Sequence, residues 1–440
     1  MKNDKDEGLR REIGVVGLAS NIINSVVGGG IFVLPAIVAG MMGAAGIFAY
    51  LICGVIIILI ALCFAEIAGK VTVSGGAYAY VEAAFGPFAG FLTNTLFFFG
   101  FGVLSDAAIA SAMAGMLAIY FPVFNLPFIR GMFFMTMYGG FTLVNIAGVK
   151  QGINLVKVNT LIKLIPLILL ITYGWIGVSA KNLQWSQLPS IKDFGEGSLI
   201  LFFAFAGGEM ALNTSGEIRN PKRTIPLGLF LGVGSVVLLY ILIQTVSQGV
   251  LGAELAINKE APLAAVAKKL MGEFGLVLMI SGAVISIFGT LSGGILSYPR
   301  LLFAGAKDGL LPAFLAKVHP KFATPYLAVC TYALLVLIFA ISGSFRQLII
   351  VSSASLLLIY VAVVLSTIKL RLRKDPSPPG SFRIPGGIAI PSFTLVLIAW
   401  FLSRLSKPEA AGIALLILAL VIIYLIMKLI KKRSAFVATK

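Results

Sequence analysis

Apolar runs of roughly 20 residues or more recur along the whole chain, and no other feature constrains its fold as tightly. A bilayer interior offers no water to a free peptide N–H or C=O. Each run must therefore satisfy its own backbone, and the helix does so within a single segment. β-barrels do it between strands, but their signature of short alternating segments does not dominate here. Hydrophobic residues make up 59% of the 440-residue chain and charged residues 12%, too few charges for the surface of a soluble protein of this size. The chain reads as an all-α polytopic membrane protein.

Twelve transmembrane helices are expected, near 14–41, 43–69, 88–120, 128–149, 153–178, 196–217, 225–250, 272–304, 325–342, 346–368, 388–404 and 409–428. The first run follows the charged segment Met1–Glu12. It is too long for a signal-peptide core and lacks a small-residue cleavage site, so it reads as a retained span. The formal net charge is +17. Because the basic residues are spread over short loops, membrane topology explains them better than a nucleic-acid partner does. With both termini cytoplasmic, 23 of the Lys and Arg residues fall in inside segments and 9 in outside ones. That bias favours cytoplasmic termini. The closing run "KLIKKRS" reads as a stop signal attracted to anionic lipid. Cys53, Cys63 and Cys330 lie in apolar runs without metal or disulfide spacing and read as small core side chains. No metal site, cofactor motif or nucleotide motif is recognisable.

The first run contains "VVGGGIF" (26–32). Three consecutive glycines in a helix interior each cost roughly 0.5–1 kcal/mol relative to Ala. The sixth run, "LFFAFAGGEMALNTSGEIRNPKRTIP" (201–226), carries Gly207 and Gly208 followed by Glu209. One such cluster alone is explained by close helix packing through small residues. Two clusters at corresponding places, in spans one and six, point instead to a midplane site between two halves of a transporter. A broken helix frees N–H groups at the start of its second half, which suit a carboxylate. It also frees C=O groups at the end of its first half, which suit an ammonium. An amino acid zwitterion needs both.

Several stretches then resemble, in order, the amino acid–polyamine–organocation (APC) superfamily of transporters. "VVGGGIF" resembles its Gly-rich first-helix motif. "FAEIAGKVTVSGGAYAYVEAAFGPFAGFL" (64–92), with Ser74–Tyr80 at its centre, resembles the segment after span two. "GEIRNPKRTIP" (216–226) resembles the loop after span six, and "RLLFAGAKDGLLPAFLAKVHPKFATP" (300–325) the loop after span eight. "SFRIPGGIAIP" (381–391) is similar to the approach to span eleven. Two departures stand out. Gly208 replaces a bulky or aromatic residue, and Asn94-Thr95 replaces a Gly-Trp pair.

The resemblance implies a five-plus-five inverted repeat (the LeuT fold) with discontinuous helices 1 and 6. The chain would then divide into a cytoplasmic segment 1–13, a first repeat 14–178 and a second repeat 196–370 within a core of 14–370. A Pro- and Arg-rich cytoplasmic connector 371–387, two peripheral helices over 388–428 and a cytoplasmic tail 429–440 would follow. It also implies a site. The backbone of Gly28, Gly29 and Gly30 would hold the substrate carboxylate. The carbonyls of Val26 and Val27, with Phe203, Ala204 and Ala206, would hold the α-amino group. Phe203 would close over the substrate, with Phe205 as its neighbour.

Ionisable groups within spans cost about 2.5–3.5 kcal/mol each at a helix centre on insertion scales, so each requires a reason. By the same resemblance, Lys163 matches a lysine of sodium-independent relatives, its ammonium standing in for a sodium ion between the first helix and span eight near Thr290. The alternative is a lysine that snorkels to the membrane surface. Glu209 is either a gating or proton-sensing carboxylate or a brace for the unwound backbone. Asp106 either lines the pathway, where it could bind a cation, or serves as a structural partner. Glu66, Gln244 and His319 read as structural. Tyr78 and Tyr80 read as an inner gate or as interfacial anchors.

The sequence thus predicts a sodium-independent secondary transporter of amino acids in the plasma membrane, coupled by exchange or proton symport. A polyamine or organic-cation carrier, a passive channel and a non-transporting sensor are the alternatives. The expected partners are a small-molecule amino acid substrate and the lipid bilayer, with a coupling proton if transport is by symport, and no nucleic acid.

Overall fold

The computed structural model describes residues 13–71, 76–147, 153–185, 188–208, 211, 218–307, 309–373 and 382–438. Glu209, Ser74 and Gly75 lie outside the described residues. Among the described residues the regular structure is helical, apart from one parallel bridge between Ile13 and Ile218. Among them, six helices are long and apolar enough to cross a membrane, and four shorter ones are apolar too.

The first apolar run forms two helices, α1 (Val15–Val26) and α2 (Gly30–Met42). A short 3-10 turn then leads into α3 (Ile47–Lys70). α4 (Gly76–Phe85) and α5 (Pro87–Thr95) follow. A π-helical segment over Leu96–Val103 then runs into α6 (Leu104–Ala118). The third expected span therefore holds an irregular turn that apolar content alone does not reveal. α7 (Pro127–Ile146) and α8 (Ile153–Gly174) complete the first half. α9 (Ile191–Phe202) ends in a 3-10 turn, Phe203–Phe205, well short of the expected limit of the sixth span at 217.

α10 (Pro221–Leu251) and α11 (Pro262–Lys307) are the long helices of the second half. α11 is interrupted at Gly272, whose φ of 64° and ψ of −152° turn the chain out of the helix, so the eighth run starts there. α12 (Tyr326–Ser342), α13 (Phe345–Leu372), α14 (Ala389–Leu402) and α15 (Lys407–Ala438) close the chain.

Two groups of helices face each other. α1 lies along α10, α10 along α3, and α2 beside α9. Opposite them α8 packs on α11, α7 on α12, and α6 on both α11 and α12. α13 touches both groups. Because lipid tails are as apolar as Leu, such contacts depend on close packing and buried polar bonds. Tyr80 is fully buried with its ring 6.1 Å from that of Phe64, and Phe64 in turn lies 5.7 Å from Tyr360. Tyr80 is thus a core residue and not an interfacial anchor. Cys53 and Cys63 are buried, whereas Cys330 is exposed.

One buried ion pair joins chain segments some 300 residues apart. Glu66, at the end of α3, has no exposed surface. Arg371 Nε donates to its Oε1 at 2.9 Å, Arg371 Nη2 pairs with its Oε2, and the Ile384 N–H donates to Oε2 at 2.9 Å. This clamp fixes the approach to α14 against α3. His319 organises its loop through backbone N–H donors from Lys321 and Phe322 to its Nδ1, at 3.2 and 3.4 Å. We predict that Arg371→Ala, by leaving Glu66 buried without its partner, costs about 3–5 kcal/mol of stability. The measurement is the thermal unfolding midpoint in detergent, and a midpoint equal to the wild type's would refute the clamp.

Candidate functional site

The two helix breaks meet. α1 ends at Val26, and the next residue, Val27, still donates its N–H to the Ile23 carbonyl at 2.9 Å while its ψ of 85° leaves the helix. α2 begins three residues later, with Gly29 as its N-cap. The first N–H groups of α2 have no carbonyl a turn earlier in their own helix. On the other chain segment, Gly207 has a φ of +106°, which L side chains rarely adopt. A Cβ there would stand 2.8 Å from the Ser25 carbonyl oxygen. Glycine is required both for the turn and for the approach of one broken helix to the other.

The carbonyls released at the end of α1 are partly claimed. The Tyr240 hydroxyl on α10 donates to the Val26 carbonyl at 3.1 Å. Lys163 Nζ on α8 donates to the Asn24 carbonyl at 2.5 Å. Lys163 is 2% exposed and so is turned into the bundle and not toward the membrane surface. Gly29 and Gly30 are held from the other side. A Cβ at Gly29 would reach 3.0 Å from Ile109 and Ile287, and one at Gly30 3.2 Å from Phe203 and Ala204.

Between these elements lies a cavity of about 280 Å³. Of the expected residues, it brings together Val26, Gly28, Gly29, Gly30, Phe203, Ala204, Ala206, Lys163, Asp106 and Thr290 in its lining. Thr290 sits beside the break, its Oγ1 3.6 Å from where a Gly28 Cβ would be, and donates to the Ser286 carbonyl at 3.0 Å. Val27 and Phe205 are not in the lining. The tight turn points Phe205 the opposite way from Phe203, into a T-shaped contact with Tyr240 at 5.1 Å and another with Tyr50 at 6.4 Å. The direction of Phe205 is thus set by the turn, and its ring belongs to the packing behind the site. Gly208 faces the Val26 side chain, and Asn94 Nδ2 donates to the Leu301 carbonyl at 3.2 Å. Gln244 is buried, and its amide atoms have no partner among the described residues.

The lining also includes Asn21, Ser25, Ser105 and Ser297, which the sequence did not single out. They are common small polar residues in otherwise apolar helices, and only the register of three helices, α1, α6 and α11, brings them into one lining. A second cavity of about 580 Å³ lies beyond α2, lined among others by Val33, Ser111, Arg130, Lys259 and Arg346. On α6 the two linings are two residues apart, Ile109 in the first and Ser111 in the second. Among the described residues no cluster of His, Cys, Asp or Glu could hold a metal ion.

Lined by both polar and apolar groups and set where helix ends of both polarities meet in a bundle of apolar helices, this cavity has the features that a carrier of a small solute requires. Residues 13–430 match the amino acid permease family. The chain is 30% identical over 383 residues to the serine/threonine exchanger SteT of Bacillus subtilis, covering 82% of this chain and 83% of that protein. It is 29% identical over 429 residues to Asc-type amino acid transporter 1 of Mus musculus, with 93% and 79% covered. It is also 24% identical over 422 residues to the branched-chain amino acid permease BcaP of Bacillus subtilis, with 91% and 89% covered. The chain belongs to the amino acid permease family, within the APC superfamily, whose members are transporters and not enzymes.

Replacing Gly29 with Val would drive a branched side chain into Ile109 and Ile287 and over the neighbouring N–H groups. We predict that Gly29→Val still inserts in the membrane but loses ligand-induced thermal stabilisation by a panel of amino acids. Stabilisation equal to the wild type's would sink the reading of this backbone as a binding surface.

Proposed function

We propose that this protein is a secondary active amino acid transporter working by alternating access, with its substrate held where the two broken helices meet. The meeting of Gly207 with the Ser25 carbonyl beside a polar cavity is the observation that carries this reading. N–H groups at the start of α2, which lack a carbonyl a turn earlier, and unwound carbonyls at the ends of α1 and α9 suit the carboxylate and ammonium of a zwitterion. Phe203, which is in the cavity lining, would close over the bound substrate. Relatives named for serine and threonine and for branched-chain amino acids support a neutral substrate.

In this reading the chain crosses the plasma membrane twelve times with both termini cytoplasmic. Two inverted five-span repeats cover 14–178 and 196–370, and the two peripheral helices lie within 388–428. Rocking of the α1–α3, α9, α10 group against the α6–α8, α11, α12 group exposes the site to each side in turn. The 580 Å³ cavity beyond α2 would be the vestibule on the far side of the closed barrier. The Lys163 ammonium, bonded to the Asn24 carbonyl, occupies a place where a coupling cation would otherwise bind, which supports sodium independence. Exchange and proton symport both fit, with Glu209 and Asp106 as the carboxylates available to a proton. A polyamine or organic-cation carrier is the second reading, and Asp106 in the cavity wall is the observation that favours it.

The test is uptake of a labelled amino acid panel into liposomes, in sodium-free buffer, with and without internal amino acid and a pH gradient. Saturable uptake that depends on one of these two driving conditions is expected. Uptake of polyamines alone would establish the second reading, and linear unsaturable flux would indicate a channel. Lys163→Ala should lower uptake at least about tenfold, since a buried charge-assisted bond is worth about 1.5–3 kcal/mol. Normal rates in that variant would remove Lys163 from the mechanism. Phe203→Ala should raise the KM severalfold by loosening the cover, and an unchanged KM would count against a gate there.

A further inference from the structure

One buried carboxylate in the cavity wall is not needed to hold the groups common to all amino acids. Asp106 is 2% exposed, on the first turn of α6 after the π-helical segment. The Tyr332 hydroxyl on α12 donates to its Oδ2 at 2.6 Å. Tyr332 is itself stacked on Tyr298 of α11, with centroids 5.6 Å apart and planes at 28°. α11 makes room for the carboxylate, since a Cβ at Gly294 would stand 2.1 Å from Oδ2. Oδ1 has no hydrogen-bond partner among the described residues, although Asp106 lines the cavity. Most buried polar atoms have a partner, so an acceptor without one in a residue that lines a cavity is free to take a donor from a ligand. Here Tyr332 fixes one oxygen, and the other is left unpartnered in a residue that lines the cavity.

We propose that Asp106 receives the substrate's side chain, and that the transported amino acid is a small one whose side chain ends in a hydroxyl. This rests on the amino acid transport reading above. The backbone cradle contacts only α-carboxyl and α-amino groups, so it cannot tell one side chain from another. A partly dehydrated acceptor favours a donor placed against it. It disfavours a methyl group of the same size, which would leave the oxygen stripped of water and unpaired. The Lys163 ammonium lines the same cavity and opposes a second cation there. That favours a hydroxyl over an amine.

The experiment measures kcat/KM for serine, alanine and 2,3-diaminopropionate on the purified full-length protein in liposomes, for wild type, Asp106→Asn, Asp106→Ala and Tyr332→Phe. The wild type is expected to prefer serine over alanine by at least about tenfold. That ratio should fall to about twofold or less in Asp106→Ala. Asp106→Asn, which keeps an acceptor, and Tyr332→Phe, which leaves Oδ2 unheld, should give intermediate ratios. If the variants do not reconstitute, thermal stabilisation of the wild type in detergent by serine against alanine decides the question. Alanine transport without a serine preference would overturn this inference and leave the transporter reading intact. A preference for 2,3-diaminopropionate, or a serine preference unchanged in Asp106→Ala, would also overturn it. Failure to move any amino acid would overturn both readings.

Discussion

In a membrane, a helix cannot stop without consequence, because lipid offers nothing to the peptide groups it releases. The interruption after Val26 is therefore the constraint around which the rest of the structure is arranged. Tyr240 and Lys163 each supply a donor to a carbonyl in the last turn of α1. Gly207 brings the second broken segment against the Ser25 carbonyl. Ile109, Ile287 and Phe203 enclose the glycines that open α2. Four helices and the segment that follows α9 converge on one short stretch of backbone, and the cavity is the space left between them.

The same constraint explains how much could be read in advance. Glycine in the middle of an apolar run has few uses in lipid, so both breaks were legible in the chain, as was the all-helical class. Lys163 stood out because an ionisable group deep in a span needs a reason. The role of Tyr240 was not legible. A tyrosine in an apolar run is unremarkable until the register of α10 places its hydroxyl beside a carbonyl 214 residues away. The direction of Phe205 was hidden for a related reason. Whether Phe203 and Phe205 share a face depends on the backbone twist of three residues, and their 3-10 turn sends the two rings apart.

The irregular stretch of the third span shows the limit of composition more sharply. Leu96–Val103 is as apolar as a regular span, yet it is π-helical. One extra residue per turn rotates everything that follows, and Asp106 begins the helix just beyond. Gly102 lies within this stretch, and a Cβ there would stand 2.7 Å from the Tyr298 ring. The ring that stacks on Tyr332 is thus seated against the same segment that sets the rotation of α6. A shift in that one turn would move the carboxylate and the aromatic pair that holds it together.

The bond between Tyr240 and Val26 has a mechanical consequence. α10 is a continuous helix of 31 residues, stiff on the scale of the site. Its hydroxyl grips α1 at the last residue before the chain unwinds. A tether at that point transmits displacement between the two helices without slack, like a pin through a hinge leaf. The loose end of α1 cannot swing away alone unless this bond breaks first. The unwound backbone thus owes its freedom to bend to the glycines, and the limit on that freedom to a phenol group from a helix it never joins in sequence.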